Sequence, residues 1–158
     1  MENNLDTSDS GTLIATFLLD NALFGIDANQ IQEVVQLKKL TLVYNAPLYV
    51  KGVMNLRGRV VTVIDLGEKL DLKPVSENDE NRVLIVEWKQ EYIGILVEGV
   101  NEVFQVEKDT IKPAPRNVNG IQAEFIIGVF KNRDGVVAGL LDFNKILHIE
   151  ESQKNCME

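Results

Sequence analysis

The chain has 158 residues, 45% of them apolar, and a formal net charge of −8. That describes one domain, or two intimate subdomains, with enough apolar surface for a shared core. The acidic balance argues against nucleic acid or an anionic membrane surface as partner, because affinity for either comes from clustered Lys and Arg.

In chain order, residues 1–11 are rich in Asn, Asp and Ser and read as a disordered tail, as do residues 151–158. Leu13–Leu19 and Ala22–Ile26 are apolar runs split by Asp20-Asn21, a hairpin signal because both residues tolerate positive φ. Asp27 then predicts a helix cap, with Ile31, Val34 and Val35 at helical spacing over Ala28–Val35. Leu40–Tyr44 reads as extended and Pro47 punctuates it, before a short helical turn or strand lead-in at Leu48–Val50. Val53–Leu56 and Val60–Leu66 flank Arg57-Gly58-Arg59, the clearest hairpin in the chain. Residues 71–81 are polar and contain a proline, as a linker would.

Beyond the linker come Val83–Trp88, a Lys89-Gln90-Glu91 turn, Tyr92–Val97, a helical or extended Val100–Val106 and the proline-rich Ile111–Arg116. Phe125–Phe130, a turn at Lys131–Gly135, Val136–Leu141 and a short helix over 143–147 complete the chain. Short strands at close spacing with only stubby helices indicate a mainly β fold.

The chain also repeats itself. Phe24-Gly25-Ile26-Asp27 and Ile31-Gln32-Glu33-Val34 are echoed by Ile93-Gly94-Ile95 with Glu98 and by Val100-Asn101-Glu102-Val103, the two glycines lying 69 positions apart. Gly52, Gly58, Asp65 and Leu70 are answered by Gly128, Gly135, Asp142 and Leu147 at offsets of 76 to 77. Two copies are too few for a solenoid, so the expectation is a pair of small barrels or sheets. Asp27, Asp65, Glu98 and Asp142 match between the copies, which points to capping or turn-anchoring duty rather than catalysis.

No chemistry rises above this frame. The single histidine, His148, lies in the last helical segment, and the single cysteine, Cys156, in the tail, so neither a disulfide nor a Cys/His metal cluster is expected. There is no nucleophile motif, phosphate loop or calcium loop. No stretch approaches the roughly 20 apolar residues of a membrane span, and the first residues lack the pattern of a signal peptide, so a cytoplasmic, non-enzymatic protein without cofactor is expected.

Residues 49–66, Tyr-Val-Lys-Gly-Val-Met-Asn-Leu-Arg-Gly-Arg-Val-Val-Thr-Val-Ile-Asp-Leu, resemble the signature segment of the CheW coupling proteins of bacterial chemotaxis. Phe24-Gly25-Ile26-Asp27, Gly94–Val100 and Ile111-Lys112-Pro113-Ala114-Pro115 agree in order, so the resemblance spans roughly residues 12–149. One departure is Thr62, where the family commonly has proline. The resemblance implies two five-stranded β-barrels side by side: residues 12–70, a linker at 71–81, and residues 82–150, with exchange of strands allowed. It implies an adaptor without enzymatic activity that couples chemoreceptors to the histidine kinase CheA in membrane-associated receptor arrays. The receptor's cytoplasmic hairpin tip would meet Ile31, Glu33, Gly52, Asn55, Arg57 and Val100, and the kinase's regulatory domain Lys112 and Val118. Arg57 is read as having no counterpart in kind in the second copy, whose matching turn, Lys131–Gly135, is longer. A small-molecule sensor or enzyme using the groove between the barrels is the alternative.

Overall fold

The structure, a computed structural model, describes residues 11–118 and 121–147. The expected N-terminal tail, except Gly11, the C-terminal tail, His148 and Cys156 lie outside the described residues.

Three two-residue hairpins set the architecture. β1 (Gly11–Leu19) turns into β2 (Ala22–Asp27) through Asp20 and Asn21, at φ 51° and 63°. β4 (Val50–Leu56) turns into β5 (Arg59–Asp65) through Arg57 and Gly58, at 53° and 87°. β6 (Arg82–Trp88) turns into β7 (Glu91–Val97) through Lys89 and Gln90, at 52° and 68°. Positive φ at both turn residues matches the right-handed twist of the flanking strands, which is why two residues suffice.

The other strands are β3 (Ile31–Val35), β8 (Gly99–Glu107), β9 (Asn117–Val118), β10 (Ile121–Gln122), β11 (Ile126–Lys131) and β12 (Val137–Leu141). The helices are α1 (Leu66–Lys69) and α2, helical from 143 to the last described residue, 147. Val100–Val106, open to either reading in the sequence, is strand. Leu40–Tyr44 contributes only an isolated bridge, Thr41 to Val53.

The helix expected over Ala28–Val35 is not formed. Ala28–Gln30 is a single 3-10 turn, and Ile31–Val35 is β3, paired antiparallel with β6. Ile31, Glu33 and Val35 are half-buried while Gln32 and Val34 are exposed, a period of two. Apolar residues at 31, 34 and 35 fit a helix face over so short a window, but three β-branched residues in five favour the pleated surface, and the cross-strand partner decides.

Two five-stranded sheets result. One has the order β3-β6-β7-β5-β4 and the other β8-β1-β2-β12-β11, with β9 and β10 a separate two-stranded ribbon. Each contains a parallel pairing: Val63 beside Gly94 between β5 and β7, and Leu140 beside Gly25 between β12 and β2. The predicted five-stranded β architecture is present, with each sheet open at its edge strands rather than closed into a barrel. The chain reaches this by exchange, since β6 and β7 from beyond the linker join β3, β4 and β5, while β1 and β2 join β8, β11 and β12. Contacts accordingly divide the molecule into a unit of Phe17–Ala22 with Asn29–Asn101 and a unit built from the remainder.

Each unit has its own core: Met54, Leu56, Val61, Val63, Val83, Ile85 and Leu96 in the first, and Ile14, Leu23, Phe104, Val106, Phe130, Ala138 and Leu140 in the second. A fully buried side chain of this size contributes about 1.5–3 kcal/mol. The sequence repeat is visible atom by atom. A Cβ on Gly25 would stand 2.7 Å from Ile14 Cγ2, and one on Gly94 2.6 Å from Val83 Cγ1. A Cβ on Gly52 would meet the Thr41 carbonyl at 2.5 Å, and one on Gly128 the Lys112 carbonyl at 2.6 Å. Asp65 Oδ1 accepts from Glu68 N (3.1 Å) and Asp142 Oδ1 from Lys145 N (3.3 Å), so both matched aspartates cap a short helix.

Candidate functional site

At one end of the first unit's sheet, the β4–β5 turn presents Arg57 to the opposite edge strand. Asn55 Oδ1 accepts from Gly58 N at 2.8 Å, which closes the turn. Arg57 then projects beyond β4, and its Nη2 donates to both carboxylate oxygens of Glu33 on β3, at 2.6 and 2.5 Å. β3 and β4 are the two edges of this sheet, so the ion pair links strands that share no ladder. The side chains are 68% and 34% exposed. The hydrogen bond from Arg57, more than its charge, holds the Glu33 carboxyl below the ordinary range, and Glu33 in turn raises the guanidinium.

Of the residues singled out in the sequence, Glu33, Asn55 and Arg57 therefore come together, with Ile31 two residues along β3 and half-buried. Gly52 sits on β4 against Thr41 at φ 145°, so its need for glycine is steric at least in part. Val100, 38% exposed, stands on β8. Lys112 and Val118 belong to the other unit. Lys112 exchanges both backbone hydrogen bonds with Val129 (2.9 and 2.8 Å), leaving an exposed side chain. Val118 pairs with Ile121 in the β9–β10 ribbon.

The asymmetry read into the two copies does not hold. Arg133, in the β11–β12 turn, lies 3.8 Å from Glu102 on β8 and 5.8 Å from the centre of the Phe104 ring. Glu102 repeats Glu33 at the offset of Gly94 from Gly25, and Arg133 repeats Arg57 at the offset of Gly128 from Gly52. The longer turn hides the match by shifting arginine relative to glycine. The turns themselves correspond too: Asn132 Oδ1 accepts from Asp134 N and Val136 N as Asn55 accepts from Gly58 N. What does differ is the distance and geometry of the pair.

Sequence reading also missed two features. Arg59 lies 4.4 Å from the centre of the Tyr92 ring. Leu42, Tyr44 and Leu48, in the loop before β4, are 84%, 92% and 87% exposed. Three large apolar side chains so exposed within seven residues are unusual unless another surface covers them; the run Leu42-Val43-Tyr44 was legible, but not that it faces outward. Among the described residues no group of three His, Cys, Asp or Glu side chains is placed to hold a metal ion, and no helix is long and apolar enough to cross a membrane.

Exposed charged turns and an outward apolar loop on two five-stranded sheets are surface features of the kind other proteins cover. Comparison with known proteins makes the class specific: the chain belongs to the CheW-like domain family, whose model matches residues 14–151. It is 33% identical over 135 residues to the chemotaxis protein CheW of Klebsiella aerogenes, covering 85% of this chain and 81% of that one. To CheW of Bacillus subtilis it is 29% identical over 144 residues, covering 91% and 92%. The crystal structure of the scaffolding protein TtCheW from Thermoanaerobacter tengcongensis superposes with a TM-score of 0.75 at 29% identity, covering 83% of this chain and 84% of that one. This is a chemotaxis scaffold and not an enzyme.

Proposed function

We propose that the protein couples chemoreceptors to the histidine kinase CheA within membrane-associated receptor arrays. The receptor's cytoplasmic hairpin tip docks on the first unit through Ile31, Glu33, Gly52, Asn55, Arg57 and Val100. The regulatory domain of CheA docks through Lys112 and Val118. The observation that carries this reading is the Arg57–Glu33 pair: a forked cation and its carboxylate, exposed and fixed by a closed turn, ready to exchange hydrogen bonds with a polar helix face. Lys112 supports the second surface because its backbone is fully engaged with Val129, which fixes the side chain's origin without occupying it.

Coupling of this kind is shared binding free energy. The adaptor biases the kinase only by binding one of its conformations better than another, typically by about 1–3 kcal/mol. The test is to measure binding of a purified receptor hairpin fragment and of the CheA regulatory domain separately to the wild type and to Arg57→Glu. Loss of receptor binding with kinase binding retained is expected. Undiminished receptor binding by a folded Arg57→Glu protein overturns the assignment.

A further inference from the structure

A groove of about 280 Å³ opens beside the Arg57–Glu33 pair. Leu56, Val61 and Ile85 line its base but are themselves buried, so the surface it offers is mostly polar. Glu33, Arg57, Arg59 and Tyr92 stand around it. The two arginines differ in what their donors do. Arg57 has committed one nitrogen to Glu33. Arg59 forms no ion pair among the described residues, and its guanidinium lies over the Tyr92 ring. The parallel register of β5 on β7, with Thr62 beside Ile93, brings Tyr92 under the start of β5. The carboxylate of Glu87, across the ladder from Tyr92, is engaged by Gln32 Nε2 at 3.2 Å.

A guanidinium stacked on an aromatic face keeps its N–H edge available for planar hydrogen bonding, and stacking restricts the rotamers it would otherwise lose on binding. Here Arg59 stands at a mostly polar groove beside the Arg57–Glu33 pair, and its charge, like that of Arg57, lowers the Glu33 carboxyl. In a chain of net charge −8, the long-range field disfavours an acidic partner, so such a partner needs a local forked cation to dock.

We infer that Arg59, held by Tyr92, is a specificity-determining contact that selects a partner helix bearing an exposed carboxylate. The carboxylate meets Arg59 at the mouth of the groove. Tyr92 acts through Arg59 as a positioning residue. This rests on the receptor-docking reading above and gives that partner its chemistry.

The probe is a fluorescently labelled cytoplasmic hairpin fragment of a chemoreceptor, titrated with the full chain at low and high NaCl. Arg59→Gln weakens binding on the order of tenfold at low salt, as loss of one charged interfacial contact does, and the difference shrinks as salt screens it. Tyr92→Leu weakens binding by a smaller factor, whereas Tyr92→Phe, which keeps the ring face, restores it. Arg59 is exposed, so Arg59→Gln should melt with the wild type; Tyr92 is half-buried against the core of the first unit, so binding by Tyr92→Leu is compared on the folded fraction measured by circular dichroism. If the wild type binds and Arg59→Gln binds equally well with the same salt dependence, this inference is overturned while the receptor reading stands. If the wild type does not bind the fragment at all, both are overturned.

Discussion

Replacing Asp65 by Ala should cost far more than replacing Asp142 by Ala, although the two occupy the same position in the repeat. Asp65 is fully buried. Its Oδ1 accepts from Glu68 N at 3.1 Å, and Oδ2 accepts from Val75 N at 3.0 Å. It therefore caps α1 and ties the polar segment after β5 back onto the helix, aided by Leu72 N donating to the Gly67 carbonyl at 2.7 Å. Alanine leaves two backbone N–H groups without their acceptor, at about 1–3 kcal/mol each if they stay buried. Partial opening of the segment to water relieves some of that, so a loss of about 2–4 kcal/mol is expected. Asp142 is half-buried and caps through one 3.3 Å bond, so its loss should be about 1 kcal/mol, as for an ordinary helix cap. Asp65→Asn keeps an acceptor and should fall between. Urea unfolding followed by circular dichroism, with Trp88 fluorescence as a reporter within the unit of Asp65, measures the differences at constant m-value. Equal losses for the two alanine variants, or less than about 1 kcal/mol for Asp65→Ala, would refute the assignment of Asp65 as the buried tether.

Gly94→Ala should destabilise by about 1–3 kcal/mol through overpacking against Val83 and Val61, read as a lowered urea midpoint, while side chains rather than backbone absorb the methyl. Gly52→Ala meets the Thr41 carbonyl and a positive φ together, so it should unfold more readily still, and any receptor-binding defect in it must be corrected for folding. For Glu33, whose folded pKa lies below its unfolded value, the pairing contribution is present above the ordinary carboxylate pKa and is lost as pH falls through the depressed one. Carboxyl NMR titration should show that Arg57→Gln moves the Glu33 midpoint upward; an unmoved midpoint would mean that the pair does not form in solution. Leu42→Ser with Leu48→Ser should leave the melting temperature nearly unchanged, since both side chains are already in water.

The hairpins were legible because their cause is local: Asp20-Asn21, Arg57-Gly58 and Lys89-Gln90 each sit between β-rich runs, and two residues decide the turn. The repeat was legible because close packing demands glycine at the same places twice. The β3 segment reads as a helix in the sequence because Ile31, Val34 and Val35 fit one helical face, whereas in the strand Val34 falls on the opposite face from the other two; only pairing with β6, more than forty residues on, decides for the strand. Nor does the sequence show which half each strand joins, since exchange of the β1–β2 and β6–β7 hairpins leaves no local mark. The Glu33–Arg57 pair is non-local in the same way: its members are known only once β3 and β4 are found at opposite edges of one sheet. Arg133 escaped notice because a longer turn displaced it from the alignment of glycines.

The central claim is that one chain carries two separable docking surfaces, and co-assembly tests it most directly. A receptor hairpin fragment and the CheA regulatory domain are mixed with the wild type, Arg57→Glu or Lys112→Glu, and complexes are sized by analytical ultracentrifugation. The wild type should give a ternary species, Arg57→Glu only the complex with the kinase domain, and Lys112→Glu only the complex with the receptor fragment, each variant remaining folded by circular dichroism. A ternary species of undiminished affinity with Arg57→Glu, or the simultaneous loss of both partners in either folded variant, would contradict the account.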